Sequence, residues 1–237
     1  MVKRSKEFTC ESCPAGKSMF SSSLDKADLL YLNNQKSVHF YRKGEDIYHE
    51  GHKTLGIYCL MEGKVKVYKQ GMDGREYIIR FVLPGEFIGL KALVTGNDHT
   101  TSASALEDSY VCFVAKNDFF QLMVKYPEFT RMLILSLSQL IDEAEAKMTS
   151  LAQKPVKQRL AEALVFLNKS FNSKSPNPEK TYLNLTRNDL SNIIGTAPET
   201  VIRLLSEFKD EKLVSVKGRK IFIINNNELK RLANISE

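Results

Sequence analysis

Short apolar segments separated by glycine turns occupy the first half of the chain, from about residue 38 to 114. Segment 64–68 alternates charged and apolar side chains with a period of two, and segments 57–61 and 76–83 are also short. Glycine separates these segments at positions 44, 51, 63, 71, 74, 85, 89 and 96. Evenly spaced short strands with glycine turns predict a β-sandwich or barrel, most simply a jelly roll.

After Pro127 the pattern changes to that of a long helix, predicted over residues 127–153. Apolar residues recur at heptad spacing in two parallel stripes: Leu133, Leu137, Leu140, Ala144 and Leu151, and beside them Ile134, Ile141 and Met148. A helix of about 25 residues is about 37 Å long, more than a barrel this small can cover. We therefore expect a dimerisation helix, with one stripe on the barrel and one on a partner helix. The alternative is a long helix that covers the sheet within one chain. Lys147 stands where the heptad favours an apolar residue, so we expect it to weaken the coil locally.

The last third of the chain, after a hinge at Lys154, predicts a winged helix-turn-helix. Thr186 has an acid three residues later, the pattern of a helix start, and Gly195 ends that helix. Thr196 repeats the start signal for a second helix, and a hairpin is predicted over 213–224.

Composition excludes several classes of protein. The chain has 237 residues, of which 43% are hydrophobic and 26% charged, so it is not mainly disordered. It contains no apolar run long enough to span a membrane and no signal peptide, so we expect a cytoplasmic protein without a membrane partner. Four cysteines in that compartment favour reduced thiols, a metal site or redox sensing over disulfides.

The positive charge is concentrated at the C-terminal end. The net charge is +6, and residues 155–237 hold 14 Lys and Arg against 9 Asp and Glu. Residues 1–154 are nearly balanced, with 20 against 19. A basic C-terminal module indicates a polyanion partner there, double-stranded DNA in a helix-turn-helix. The alternative is a solvated basic face with no partner.

The second helix of the motif carries side chains suited to base recognition. Arg203 can bond guanine and Glu199 can accept from cytosine, whereas basic wing residues suit phosphates. The alternative for the first two is a salt bridge within the helix, with Glu199 acting only as the cap partner of Thr196. The candidate DNA-contacting residues are Thr186, Arg187, Thr196, Glu199, Thr200, Ile202, Arg203, Lys217 and Arg219, with Lys220 also on the wing.

Three stretches give the chain a resemblance to the Crp–Fnr family of regulators. They are 185–205 around the recognition helix, 84–89 (PGEFIG) in the barrel, and 105–112 (ALEDSYVC), which is similar to the oxygen-sensing branch. The resemblance implies a homodimeric transcription regulator that reads a TGA-core palindrome with Glu199 and Arg203 and acts on RNA polymerase. Pro198 replaces the Arg of the cyclic-AMP branch, and Ile202 replaces a small polar residue of the oxygen-sensing branch.

The expected fold class is therefore α+β. The expected parts are an N-terminal cysteine-containing segment (1–22), a cyclic-nucleotide-binding-like jelly-roll barrel (23–126), the dimerisation helix (127–153) and a winged helix-turn-helix (154–237).

The residues that bind cyclic AMP in the family are absent. Leu90 stands where the family has a Glu for the ribose hydroxyl, and His99 with Thr100 replaces an Arg–Ser pair for the phosphate. A largely neutral His is a poor substitute for the Arg fork. We expect no response to cyclic AMP.

The resemblance to the oxygen-sensing branch implies a 4Fe–4S cluster held by a Cys-x2-Cys-x5-Cys motif and one barrel cysteine. Cys10, Cys13 and Cys112 match three of these ligands, but Met19 occupies the fourth position. A neutral thioether is a weaker ligand than a thiolate, which leaves an oxygen ligand, a water or Cys59 to complete the set. Cys59, in a predicted strand, is expected to be a buried core thiol. The alternatives are idle reduced thiols or a redox-active pair; zinc fits less well because it also needs four ligands. Haem in the barrel is a further alternative.

Two other classes of function fit the sequence less well. A stand-alone ligand or redox sensor without specific DNA binding conflicts with the intact recognition helix. An enzyme on a jelly-roll barrel would need clustered metal ligands or a nucleophile with its base, and the sequence shows neither. We therefore expect a regulator that is not an enzyme.

Overall fold

The computed structural model describes residues 8–11, 14, 23–172 and 182–235. The chain divides into two compact units, one made of residues 1–70 and 79–142 and the other of residues 71–78 and 143–237. Residues 71–78 therefore belong to the same compact unit as the C-terminal part of the chain.

In the described barrel domain, eight strands form two four-stranded sheets with orders β1-β8-β3-β6 and β2-β7-β4-β5. The strands are β1 (Ser37–Tyr41), β2 (Asp46–Tyr48), β3 (Gly56–Glu62), β4 (Val65–Gln70), β5 (Glu76–Val82), β6 (Phe87–Ile88), β7 (Ser102–Ala105) and β8 (Ser109–Ala115). This strand order is that of a jelly roll, so the predicted fold class is confirmed.

The sheet that contains β3 and β8 is buried on both faces. Leu60 and Val111 point into an apolar core between the two sheets, together with Ile88. The alternate residues of the same strands, Cys59 and Cys112, point the other way into a second apolar layer that the helices cover. The side-chain alternation along β3 and β8 thus divides the core into two layers.

Two of the helices over this second layer were not predicted from the sequence. Helix α1 (Lys26–Gln35) is capped by Asp25, and α3 (Lys116–Lys125) follows β8 directly. Helix α1 buries only Leu29 and Leu32, so its apolar periodicity is too weak to identify. A short helix, α2 (Leu90–Thr95), packs into the same layer.

Helix α4 (Pro127–Gln153) is the predicted long helix. Phe129 and Leu133 are buried in the second apolar layer, which the helices cover. The other predicted stripe is exposed in the single chain, with Ile134 and Ile141 each 58% and Met148 62% accessible. No helix among the described residues has the length and apolar content needed to cross a membrane.

The second unit contains a small helical domain with a three-stranded sheet of order β10-β11-β9. Its elements are α5 (Val156–Asn172), β9 (Leu183–Asn184), α6 (Arg187–Ile194), α7 (Pro198–Asp210), β10 (Val214–Lys217), β11 (Lys220–Ile223) and α8 (Asn226–Leu232). The sequence analysis predicted both motif helices and the hairpin but not β9 or α8.

Lys147 lies near the end of α4 in this same unit. Its ammonium is 4.8 Å from the centre of the Tyr77 ring and donates a hydrogen bond to the carbonyl of Ile78. Burial lowers the pKa of Lys147 to about 8. The one charged residue in the apolar stripe therefore contacts the start of β5.

Candidate nucleic-acid interface and sensory sites

The first helix of the motif, α6, begins as the sequence predicts. The Thr186 hydroxyl accepts from the Asp189 backbone N–H at 3.0 Å, and the Asp189 carboxylate accepts from the Thr186 backbone N–H at 3.0 Å. This reciprocal capping box satisfies two N–H groups that the helix leaves without partners. The Thr186 side chain, a candidate DNA contact, thus already has a structural role.

The turn between α6 and α7 is formed by Gly195 in the left-handed conformation, with φ of +66°. A Cβ at Gly195 would lie 3.2 Å from Leu151 Cδ2, so both conformation and space favour glycine.

The predicted cap of α7 at Thr196 was wrong by one residue, although Pro198 lies in the first turn as predicted. The Thr196 backbone N–H donates to the Ser191 carbonyl at 3.1 Å, so Thr196 closes the end of α6. Helix α7 begins at Pro198 after Ala197, whose side chain cannot cap it.

Helix α7 buries one face and exposes the other. Val201, Leu204, Leu205 and Phe208 are buried in the small domain. Glu199 and Arg203 are exposed, Ile202 is 55% accessible, and Thr200 is partly covered. The N-terminal half of α7 therefore presents the candidate base-reading side chains to the outside, as the prediction of a recognition helix requires.

The salt bridge between Glu199 and Arg203, the alternative to base recognition, is not formed. Arg203 Nη1 instead donates to Glu207 Oε1 at 2.5 Å, one turn further along the helix. Lys157 of α5 also approaches Glu207, at 3.6 Å. Glu199 and Glu207 both lie four residues from Arg203, so spacing alone could not select between them.

The wing lies beside the start of α6. Arg187 donates from Nη2 to the Gly218 carbonyl at 3.2 Å, which joins the first motif helix to the turn of the wing. Lys217, Arg219 and Lys220 are all exposed around that turn. The hairpin thus presents three cations on the side of the domain where Arg187 begins α6.

Two basic residues between the end of α4 and the first turns of α5 hydrogen bond to other parts of the C-terminal domain. Arg159 donates from Nη1 to the Leu151 carbonyl at 3.1 Å and from Nη2 to the Gly195 carbonyl at 3.4 Å. Lys154 donates to Glu162 at 2.8 Å and to the Ala233 carbonyl at 2.9 Å. Nothing in the sequence indicated these hydrogen bonds to backbone carbonyls, because an Arg in a helix is usually an exposed charge without such a role.

In the barrel, the position that holds the cyclic phosphate in the resembled family is filled by an aromatic stack. His99 is buried and its ring lies flat on Tyr48, with centroids 3.7 Å apart and planes 13° apart. Burial lowers the pKa of His99, so the imidazole is neutral at pH 7. Leu90 points into the helix-covered layer instead. Neither side chain offers a charged group to a nucleotide.

The described cysteines converge in the helix-covered layer. Cys10, Cys59 and Cys112 are all buried there in one cluster. The Cys10 backbone N–H donates to Asn33 Oδ1 at 2.7 Å, and the Lys36 ammonium donates to Cys10 Sγ at 3.4 Å.

Cys13 and Met19 lie outside the described residues. Within the described ranges, no three His, Cys, Asp or Glu side chains stand close enough together to hold a metal ion.

Comparison with known proteins matches both halves of the chain. A model of the cyclic nucleotide-binding domain matches residues 38–126, and a model of the Crp-like helix-turn-helix domain matches residues 158–232. The fumarate and nitrate reduction regulatory protein of Vibrio cholerae is 30% identical, over 96% of this chain and 91% of that protein. The transcriptional activator protein Anr of Pseudomonas protegens is 28% identical, over 94% and 92%.

Solved structures show the same likeness. FixK2 from Bradyrhizobium japonicum superposes with a TM-score of 0.74 at 27% identity, covering 85% of this chain and 99% of that one. A transcriptional regulator of the CRP/FNR family from Thermus thermophilus, TTHA1359, gives 0.70 at 26% identity, covering 84% and 98%.

Proposed function

Since the chain belongs to the Crp/Fnr family of DNA-binding transcription regulators, we propose that it binds a TGA-core palindrome as a homodimer, with α7 of each subunit in the major groove. The observation that carries this is the exposed N-terminal half of α7 above a buried apolar stripe. Glu199 and Arg203 would contact base edges, and Lys217 and Arg219 the phosphates.

The first test is DNA binding by fluorescence anisotropy on a TGA palindrome and on a random duplex of equal length. We expect tighter binding to the palindrome and, on both duplexes, affinity that falls steeply as salt rises. Equal affinity for the two duplexes at every salt concentration would contradict sequence-specific recognition.

The second subunit is proposed to pack on the exposed stripe of α4. Ile134, Ile141 and Met148 lie on one face, and an apolar stripe of that length is costly to leave in water. Sedimentation would show a dimer for the wild type and a monomer for Ile141→Glu.

RNA polymerase is the proposed protein partner of the DNA-bound dimer. Because the similar proteins are transcription regulators, we propose that the chain has no catalytic activity. We also propose that it acts in the cytoplasm, where it binds DNA.

The signal received by the barrel is proposed not to be cyclic AMP. The His99–Tyr48 stack takes the place of a phosphate anchor, and Leu90 is turned into another layer of the core. Titration calorimetry with micromolar cyclic AMP should give no saturable heat, whereas saturable binding would overturn this proposal.

We propose instead that the signal reaches the cysteine cluster, as a response to oxygen or nitric oxide. The donor chemistry fits an iron–sulfur cluster, because Cys10 and Cys112 are buried thiols in one layer and Cys13 follows Cys10 after two residues. A bound 4Fe–4S cluster would supply the oxidant-sensitive group. Lys36 would favour the negatively charged form of the Cys10 sulfur, which it contacts.

The test is the visible spectrum of protein reconstituted with iron and sulfide without oxygen and then exposed to air. A broad brown absorbance that bleaches in air supports the cluster. Colourless protein would contradict it and direct the search to haem in the barrel, the alternative cofactor.

A further inference from the structure

Glu207 of α7 stands between two cations, each of which faces one of its carboxylate oxygens. Arg203, one turn earlier on the same helix, donates from Nη1 to Glu207 Oε1 at 2.5 Å. On the other side, Lys157 Nζ of α5 lies 3.6 Å from Glu207 Oε2. The carboxylate therefore has a second cation beside it when Arg203 leaves.

Lys157 is held in this position by two further contacts. Its ammonium donates to Glu211 Oε1 at 2.8 Å and lies 5.7 Å from the centre of the buried Phe208 ring. The hydrogen bond to Glu211, with Glu207 nearby, raises the pKa of Lys157, so the side chain is charged at pH 7. An ammonium has three donors, so the bond to Glu211 leaves two that can turn to Glu207.

The bond between Arg203 and Glu207 directs the guanidinium away from the end of α7 that is expected to read bases. Glu207 lies one turn closer to the C-terminus of the helix, whereas recognition helices contact base edges with their N-terminal residues. The side chain of Arg203 is 66% and that of Glu207 35% accessible, so both can move without disturbing the domain core. Arg203 must therefore turn away from Glu207 to reach a base.

We propose that Glu207 competes with DNA for Arg203, and that Lys157 is a positioning residue that pairs with Glu207 once Arg203 has turned to a base. This inference rests on the proposed function, because it takes Arg203 as a residue that contacts a base. A guanine edge offers two acceptors to the guanidinium and can replace the carboxylate. Glu207 thus sets how much of the base contact appears as affinity.

Lys157 lowers the cost of releasing Arg203. Without a cation beside it, the released Glu207 would be an unpaired negative charge close to the phosphates of the bound DNA, and like charges repel. With Lys157 in place, the carboxylate exchanges one cationic partner for another. The affinity for the DNA site should therefore depend on a residue of α5 that makes no DNA contact itself.

Fluorescence anisotropy of full-length Glu207→Gln on the TGA palindrome tests the competition. The matched control is Asp210→Asn, which removes an equal charge from the end of the same helix, where Asp210 is exposed. An exposed helical ion pair is worth a factor of about two per subunit, so Glu207→Gln should bind about three- to fivefold more tightly than the control. Binding equal to the control would overturn the competition. Weaker binding would also overturn it, because Glu207 would then support the base contact.

The gain from Glu207→Gln should depend on Arg203. In Arg203→Ala there is no guanidinium to hold, so the added Glu207→Gln should raise the affinity only as much as an added Asp210→Asn. This double-mutant cycle separates the ion pair from the general loss of negative charge. An equal extra gain with and without Arg203 would overturn the proposal.

Lys157→Ala tests the second half of the proposal, with Lys209→Ala as the control for the loss of one cation. We expect Lys157→Ala to weaken palindrome binding by about two- to fivefold more than the control, and Lys157→Arg to restore it. In the Glu207→Gln background the extra loss should disappear, which a merely structural effect of Lys157→Ala would not do. An extra loss that persists without Glu207 would overturn the role of Lys157.

The outcomes separate this inference from the proposed function. Arg203→Ala that weakens the palindrome and a random duplex equally would overturn the base contact, and this inference with it. Arg203→Ala that weakens mainly the palindrome, combined with Glu207→Gln that binds like Asp210→Asn, would overturn the competition alone, while base recognition stands.

Discussion

Replacement of Arg203 by Ala is the sharpest test of the recognition helix. A bidentate Arg–guanine contact discriminates by about 1–3 kcal/mol. In the unbound protein the Arg203 guanidinium pairs with Glu207, with side chains 66% and 35% accessible. A helical pair this exposed contributes about 0.3–0.5 kcal/mol, and that pair must loosen before the guanidinium reaches a base.

The net loss on one half-site is therefore about 0.5–2.5 kcal/mol. Because both subunits of a dimer carry the change, a palindrome should lose about 1–5 kcal/mol, or roughly fivefold to several thousand-fold in affinity. On a random duplex, Arg203→Ala removes only one cation per subunit, so the loss should be a small fraction of this.

The assay is fluorescence anisotropy at several salt concentrations with the palindrome and a random duplex. Lys209→Ala is the matched control, because it removes an equal charge from the last turn of the same helix, where Lys209 is exposed. We expect it to weaken both duplexes slightly and equally. Equal losses on both duplexes for Arg203→Ala would refute base recognition and reduce Arg203 to a phosphate contact.

Three further predictions concern the wing, the motif turn and the end of α4. Lys217→Ala should weaken binding to all sequences about equally and reduce the salt slope by about 1 per subunit, as anisotropy against log salt would show. Gly195→Ala should lower the unfolding free energy of the C-terminal domain by about 1–2 kcal/mol in denaturant titrations, because φ is +66° and Leu151 is close; unchanged stability would contradict this. Lys147 has its pKa lowered to about 8 by burial, so the unfolded chain binds more protons and stability should rise as pH increases from 8 towards 10.5. That rise should be absent in Lys147→Met, and an equal rise in both proteins would argue against a buried ammonium.

The sequence could identify the elements whose signals are local. Alternation with a period of two marks β4, and short apolar runs between glycine turns mark β3 and β5. Thr186 and Asp189 mark the start of α6 because a capping box acts within one helical turn. Helices α1 and α3 were missed because each buries only two apolar residues. The cap of α7 was placed one residue too early, at Thr196.

Two kinds of contact are shown only by the tertiary structure. They are contacts between residues far apart in the chain, and the choice between two acids at the same spacing from one arginine. Arg203 has an acid four residues away on either side, and only the packing of α5 against α7 shows that Glu207 is its partner. His99 was recognisable as a substitute for an arginine, but its stacking on Tyr48 depends on β2 lying next to the segment that leads into β7.

The sequence by itself therefore determined the class of protein: a glycine-punctuated barrel, a long helix with two stripes and a basic helix-turn-helix. These features depend on residues within a few positions of each other, so their periodicity is visible in the chain. The tertiary structure alone decided that Cys59 lies opposite Cys112 and in one layer with Cys10. Strand register is set by which sheets pair and which faces are buried, and a shift of one residue would have turned Cys59 into the barrel interior.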